Sequence, residues 1–219
     1  MLYGKSGKNM TKRKKISVGI VIAIIIAILG SQIFITGVIM IIMFFGSATS
    51  KPEVYEDISR YNEYMSFSRD DTDSKWSKWG MDESIWPEKI NDSMKVSDFK
   101  MVYYDPWDKQ YLGYLVIDYD PEEYAKEISR LRSYPSTDYI GYYSVEKEHT
   151  YDLVAVNADE YQGFVYALTD GKSRIIYAEQ IFCNYFMDLD YRKYMLEEYF
   201  LDGFDATSGN PYEKKMMKK

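Results

Sequence analysis

The sequence predicts an α+β protein with a single N-terminal transmembrane helix, followed by one domain with a mainly antiparallel sheet and two or three helices. Two observations lead to this prediction. Residues 16–45 form an apolar run without a charged side chain. Downstream, short segments with alternating apolar residues are separated by turn residues at hairpin spacing, and one strong helix start interrupts them.

The apolar run is long enough to cross a membrane. A helix of this length reaches about 43 Å, whereas the hydrocarbon core of a bilayer is ~30 Å thick. Residues 1–15 carry six Lys and Arg and no acidic residue. By the positive-inside rule, we predict a cytoplasmic basic segment at 1–15, a signal-anchor helix at 16–46 and an extracytoplasmic domain at 47–219, located at the cell membrane. Cleavage near Ala48 is the alternative, although the apolar region of a signal peptide is usually only about 7–15 residues long.

The charge of the outer domain excludes one class of function. The chain beyond residue 50 holds 21 basic and 34 acidic residues, a net charge of −13. Nucleic acids are bound by clustered Lys and Arg, so we expect no nucleic-acid partner. Cys183 is the only cysteine, which predicts a domain stabilised by packing without an internal disulfide.

The first half of the domain predicts one helix and one hairpin. Val54, Ile58, Tyr61 and Met65 recur at helical spacing, which predicts an amphipathic helix over 53–66. An irregular segment that contains three tryptophans follows. Two strands, 96–104 and 110–119, are then predicted around a turn with the sequence Asp-Pro-Trp-Asp.

The second half begins with the clearest helix start in the chain. Asp120 suits an N-cap and Pro121 the first helical position, and Pro135 predicts an end near Ser133. Four strands are predicted after this helix, followed by a short helix over 191–199 and a loose basic tail from Lys214. The four strands span 139–145, 151–156, 164–168 and 173–182.

The sequence contains no arrangement typical of a catalytic or metal site. His149 is the only histidine, so a nucleophile with a histidine base and a zinc site both lack partners. Asp70, Asp71 and Asp73 cluster in a polar stretch, but they do not follow the EF-hand spacing. Glycine-rich phosphate loops and nucleophile elbows are also missing from the sequence. We therefore predict no catalytic residue, no metal and no cofactor.

Aromatic residues are the most distinctive feature of the domain. It contains 22 of the 23 tyrosines and all four tryptophans. Exposed Trp and Tyr side chains are typical of binding surfaces, whereas buried ones form part of an ordinary core. The candidate partner-binding residues are Trp76, Trp79, Trp86 and Trp107.

The apolar run has its own candidate contact face. Gly19, Ala23, Ala27 and Ser31 are four residues apart and therefore lie on one side of a helix. Small residues in this pattern let membrane helices approach closely, so they predict self-association through the transmembrane helix.

Three functions follow as hypotheses. The leading one is a non-catalytic, membrane-anchored protein whose aromatic domain binds a protein or a cell-envelope component. An immunity-type or regulatory membrane protein is the second, and a carboxylate-dependent hydrolase of envelope polymers is the third. A deep cleft with two facing carboxylates would favour the hydrolase, while an exposed aromatic patch would favour binding.

Overall fold

The computed structural model describes residues 26–43, 46, 50–66, 75–138 and 150–219. The chain forms two compact units, residues 1–49 and residues 50–219. The predicted class is confirmed, because the structure has one N-terminal apolar helix, a six-stranded antiparallel sheet and about three further helices.

The N-terminal unit contains helix α1, described over Ile26–Met43. Its mean hydropathy of 2.3 and its 18 residues make it long and apolar enough to cross a membrane. Its hydroxyl groups are bonded within the helix, since Ser31 Oγ donates to the Ile28 carbonyl at 2.8 Å. Ala27 and Ser31 of the predicted contact face lie on α1, whereas Gly19 and Ala23 lie outside the described residues.

The domain is built on one antiparallel sheet with the strand order β1-β2-β3-β6-β5-β4. Its central strand β3 is buried along almost its whole length, because both faces of the sheet are covered. The strands are β1 Glu53–Tyr55, β2 Lys95–Tyr104, β3 Gln110–Asp118, β4 Asp152–Asp159, β5 Gly163–Thr169 and β6 Arg174–Ile181.

The two faces of the sheet carry separate cores. Alternate residues of β3 divide between them: Leu112 and Val116 pack with the C-terminal segment 187–212, while Leu115 and Ile117 pack with residues 61–86 and the helix that follows β3. Segments before and after the central strands thus cover one face, and the C-terminal segment covers the other.

Helix α3, Pro121–Arg132, confirms the predicted start and end. The Asp120 side chain accepts a hydrogen bond from the Glu123 N–H at 3.0 Å, and Ser133 closes the helix. The hairpin of β2 and β3 and the predicted strands at β4, β5 and β6 are also confirmed within one to three residues at each end. The predicted strand at 139–145 lies outside the described residues.

Three local predictions are wrong. The helix over 53–66 is instead strand β1, a 3-10 turn at Ile58–Arg60 and a short helix α2, Tyr61–Tyr64. Residues 53–55 are extended because they pair with residues 101–103 of β2, which a local pattern of apolar residues cannot reveal. The helix over 191–199 is two 3-10 turns, Tyr191–Lys193 and Glu197–Tyr199.

The third wrong prediction concerns the C-terminal tail. It is ordered as helix α4, Pro211–Met216. The Asn210 side chain accepts from the Glu213 N–H at 2.8 Å, and Pro211 occupies the first turn. This is the same start signal as the one at Asp120, and it begins a helix although basic residues follow it.

Candidate functional site

Four segments meet at one end of the sheet, which we call the loop end. The strand register places three of them there, because the two hairpins and the exit from β6 all turn at the same level of the sheet, and hydrogen bonds join the fourth to them. The loop end consists of the 77–80 turn, the β2–β3 turn at 105–109, the β4–β5 turn at 160–162 and the segment 182–185 after β6.

Backbone strain is concentrated at the loop end. Four non-glycine residues among those described have a positive φ, and all of them lie in the 77–80 turn or in the segment 182–185. They are Lys78 (46°), Trp79 (55°), Asn184 (69°) and Tyr185 (69°). Each such conformation costs about 1–3 kcal/mol and persists only where surrounding contacts impose it. Strain of this kind is more frequent at functional sites than elsewhere, so the loop end is the candidate site.

Side-chain hydrogen bonds join the four segments of the loop end into a ring. Each bond joins two different segments, and the four bonds together form a closed cycle that begins and ends at the 77–80 turn. They are Trp79 Nε1 to Lys109 O (2.8 Å), Asn184 Nδ2 to Asp108 Oδ2 (2.9 Å), Tyr161 OH to Asn184 Oδ1 (2.7 Å) and Gln162 Nε2 to Trp79 O (3.4 Å).

The structure divides the four predicted tryptophans into two pairs. Trp79 and Trp107 belong to the loop end, and they are 38% and 49% exposed. Trp76 and Trp86 are 5% and 1% exposed and lie in the core formed by the N-terminal half of the domain. Only the first pair offers a large exposed ring surface to a partner protein in this conformation. Of the four predicted partner-binding residues, Trp79 and Trp107 therefore remain candidates for contact with a partner protein.

A buried charge cluster lies beneath the strained 77–80 turn. The side chains of Lys78, Glu83 and Glu179 are fully buried. Lys78 Nζ lies 2.9 Å from both carboxylate oxygens of Glu179 and donates a hydrogen bond to Oε2, and it also contacts Glu83 Oε1. The second Glu83 oxygen accepts from the N–H and the hydroxyl of Ser66, each at 2.5 Å. The cluster thus fastens the turn to the inner strand β6.

One cation in this cluster faces two carboxylates. Burial, the largest effect, and the nearby Glu83 raise the pKa of Glu179 to about 8, against the opposing attraction of Lys78. Burial opposes the charged form of Lys78, but attraction to the two carboxylates outweighs it and raises the pKa of that lysine. Glu179 therefore holds a proton more tightly than an ordinary glutamate does. Because the cluster is closed to solvent, its direct role is to position the backbone of Trp79.

Sequence reasoning missed this cluster, although one signal was available. Glu179 is a charged residue in the middle of the apolar strand β6, and a charge in a fully buried strand needs a partner. Nothing in the sequence indicates that Lys78 is that partner, because 101 residues separate the two.

Cys183 lies at the loop end without the environment of a reactive thiol. It is partly buried, and burial together with the neighbouring Asp108 raises the pKa of its thiol to about 12. A thiol with a raised pKa carries little of the thiolate that reacts.

A separate pocket is lined by acidic residues of the C-terminal segment. Its volume is about 530 Å³. We call it the acidic pocket, and its polar lining includes Thr150, Arg192, Glu197, Glu198 and Asp202. Leu196, Phe200, Leu201 and Phe204 form the apolar part of its wall.

Within the described residues, no group of three or more His, Cys, Asp or Glu side chains is placed to hold a metal ion. Asp70, Asp71 and Asp73 lie outside those residues.

Comparison with known proteins adds no family to this description: no protein-family model, no curated protein and no solved structure matches the chain.

Proposed function

We propose that this chain is a non-catalytic, single-pass membrane-anchored protein whose extracytoplasmic domain binds a protein or a cell-envelope component through the loop end. The observation that carries the proposal is the closed ring of hydrogen bonds, which holds the exposed Trp79 beside the turn that bears Trp107. Trp is among the residues that most often dominate the energy of an interface.

The strain of the loop end supports a role in binding. A surface whose segments are already fixed loses less conformational freedom when a partner docks, so more of the contact energy appears as affinity. The buried cluster of Lys78, Glu83 and Glu179 fixes the 77–80 turn from below, and the bond from Trp79 to Lys109 fixes it from the side. These contacts offset the energetic cost of the positive φ angles and keep the 77–80 turn in its strained conformation.

The binding proposal is tested by comparing exposed with buried tryptophans. Trp107→Ala should leave the melting temperature nearly unchanged and weaken partner capture from an envelope extract by about 2 kcal/mol or more. Trp86→Ala is the matched control, and it should lower stability by about 3–5 kcal/mol through lost burial and a cavity. If Trp79→Ala and Trp107→Ala capture every partner as well as the unchanged chain does, the loop end is not the binding surface.

The anchor and its orientation belong to the same proposal. Helix α1 is long and apolar enough to cross a bilayer, and six basic residues precede it. Protease added to protoplasts should therefore digest residues 51–219 and spare the basic end. Protection of the C-terminal domain, with a cytoplasmic control behaving normally, would contradict the orientation. A shortened product in the medium would instead indicate cleavage near Ala48.

The acidic pocket favours a second candidate, a carboxylate-dependent hydrolase of envelope polymers. Glu197, Glu198 and Asp202 share one cavity with Arg192, and paired carboxylates are the groups that glycoside hydrolysis uses. Release of soluble fragments from purified envelope polymer by the unchanged chain, abolished by Glu198→Gln, would favour this function over the first. Equal release by both proteins would trace the activity to a contaminant.

A further inference from the structure

The start of the sheet forms a second feature, which is built from aromatic rings around a positive charge. Glu53 and Tyr55 are two residues apart on β1 and therefore point to the same face of the sheet. Tyr103 of β2 pairs directly with Glu53, so its ring lies on that face as well. Trp76 packs over Tyr55 and Tyr103, with ring centroids 5.4 and 5.9 Å away. We call these four side chains the ammonium cage.

The ammonium group of Lys75 occupies this cage. Its Nζ lies 4.3 Å from the ring centroid of Tyr103, 5.0 Å from that of Tyr55 and 5.9 Å from that of Trp76. It also donates to Glu53 Oε2 at 2.7 Å and to the Tyr55 hydroxyl at 2.6 Å. The Tyr103 ring, the Tyr55 hydroxyl and the Glu53 carboxylate are the closest groups around this cation, with the Trp76 ring farther away. Aromatic rings around a cation are the arrangement by which proteins recognise organic ammonium ions.

The walls of the cage are held by contacts that do not involve Lys75. Tyr55 packs on Tyr64 with ring centroids 5.3 Å apart, and Tyr103 packs on Tyr111 at 5.7 Å. The Tyr103 hydroxyl is held by Asp105 at 2.9 Å. Removal of the lysine head group would therefore leave the rings in place.

Lys75 can leave the cage without movement of the main chain. Its backbone carbonyl accepts a hydrogen bond from the Tyr111 hydroxyl at 2.9 Å, so the backbone is fixed while the side chain keeps four rotatable bonds. The site is also open to solvent, since the side chains of Lys75 and Glu53 are 33% and 54% exposed. An external cation thus has both a path into the cage and a binding position.

We propose that Glu53, Tyr55, Trp76 and Tyr103 form a binding site for organic ammonium ions, in which Lys75 acts as an internal competitor. Primary alkylammonium groups, which have the chemistry of a lysine head group, should bind best, because Glu53 and Tyr55 accept hydrogen bonds as well as facing the charge. A quaternary ammonium ion retains the attraction to the rings but loses these hydrogen bonds, and it should bind more weakly. The site is independent of the proposed loop-end function.

The first test uses the full chain in a non-ionic detergent, with n-butylammonium chloride titrated by calorimetry. Lys75→Ala empties the cage and should bind n-butylammonium about tenfold more tightly than the unchanged chain does, because the competitor is gone. Lys100→Ala is the matched control, since that ammonium faces one ring at 6.0 Å and pairs with Glu56 at 3.2 Å; it should bind like the unchanged chain. Tyr103→Leu in the Lys75→Ala background should reverse the gain.

A folded Lys75→Ala variant that binds no more tightly than Lys100→Ala would overturn the proposal and leave Lys75 as a structural contact. If Lys75→Ala does not fold, the unchanged chain decides the question through the acetylation rate of its lysines, read by mass spectrometry. Excess tetramethylammonium chloride, compared with sodium chloride at the same concentration, should accelerate acetylation of Lys75 and leave that of Lys100 unchanged. No acceleration at Lys75 would reject the site.

Discussion

Lys78→Met tests whether the buried cluster holds the domain together. The substitution keeps an unbranched side chain and a Cβ, so the strain at the φ of 46° is the same in both proteins. What changes is the charge: Glu83 and Glu179 lose the ammonium that lies between them in a fully buried site. The result therefore reports on the ion pairs and not on the turn conformation.

The expected loss follows from the burial of the cluster. Removing one partner of a buried pair leaves an uncompensated buried charge and typically costs about 3–5 kcal/mol. For a domain of this size, each kcal/mol shifts the melting temperature by about 2–4 °C, so the transition should fall by about 6–20 °C. Lys126→Met is the matched control, because Lys126 also pairs with two glutamates but is 61% exposed. An exposed pair contributes only about 0–1 kcal/mol.

Tryptophan fluorescence during urea or thermal unfolding is a suitable assay, since all four tryptophans lie in the folded domain, between residues 76 and 107. Glu179→Leu combined with Lys78→Met should recover part of the loss, because Glu83 keeps its bonds from Ser66. Equal and small losses in Lys78→Met and Lys126→Met would refute the reasoning, since the cluster would then behave as a solvated one.

Three further outcomes are expected. The pKa of Glu179 is about 8 in the folded chain and about 4.5 in the unfolded chain, so its contribution to stability falls as pH rises between these values. Glu179→Gln should therefore flatten the pH dependence of the urea midpoint in this range, and an unchanged slope would contradict the argument. Gly163→Ala places a Cβ 2.1 Å from the Gln180 carbonyl oxygen at a φ of +107°, and it should lower the free energy of unfolding by about 3 kcal/mol or more. Gly171→Ala is the control, because its Cβ meets nothing within 4 Å, and it should lower that free energy by about 1 kcal/mol. Equal urea midpoints for the two variants would count against the steric argument. Because Cys183 is the only cysteine, the melting temperature should be the same with and without reductant, and a large drop on reduction would reveal an intermolecular disulfide.

Local signals predicted much of the fold. The N-cap and proline at residues 120–121 fixed the start of α3, because a helix start depends on groups within one turn of the chain. The β2–β3 hairpin was predicted for the same reason, since a short turn joins its two strands. Strand β1 was missed because three residues become a strand only when a distant neighbour supplies the hydrogen bonds.

The candidate site was predictable only in part. Tryptophan identity pointed to four residues, and burial then separated Trp79 and Trp107 from Trp76 and Trp86. That separation depends on whether each ring faces the core or the solvent. Three of the rings lie in an irregular segment, whose sequence has no periodicity that predicts the direction of a side chain.

The sequence by itself determined the apolar N-terminal segment, the acidic charge of the domain, its α+β class and the lack of a second cysteine for an internal disulfide. These properties depend on composition and on patterns a few residues long. Tertiary structure alone decided that Lys78 meets Glu179 and that Lys75 enters a cage of rings from β1 and β2. Such contacts join residues far apart in the chain, and their energy depends on the burial that only the completed sheet and its covering segments provide.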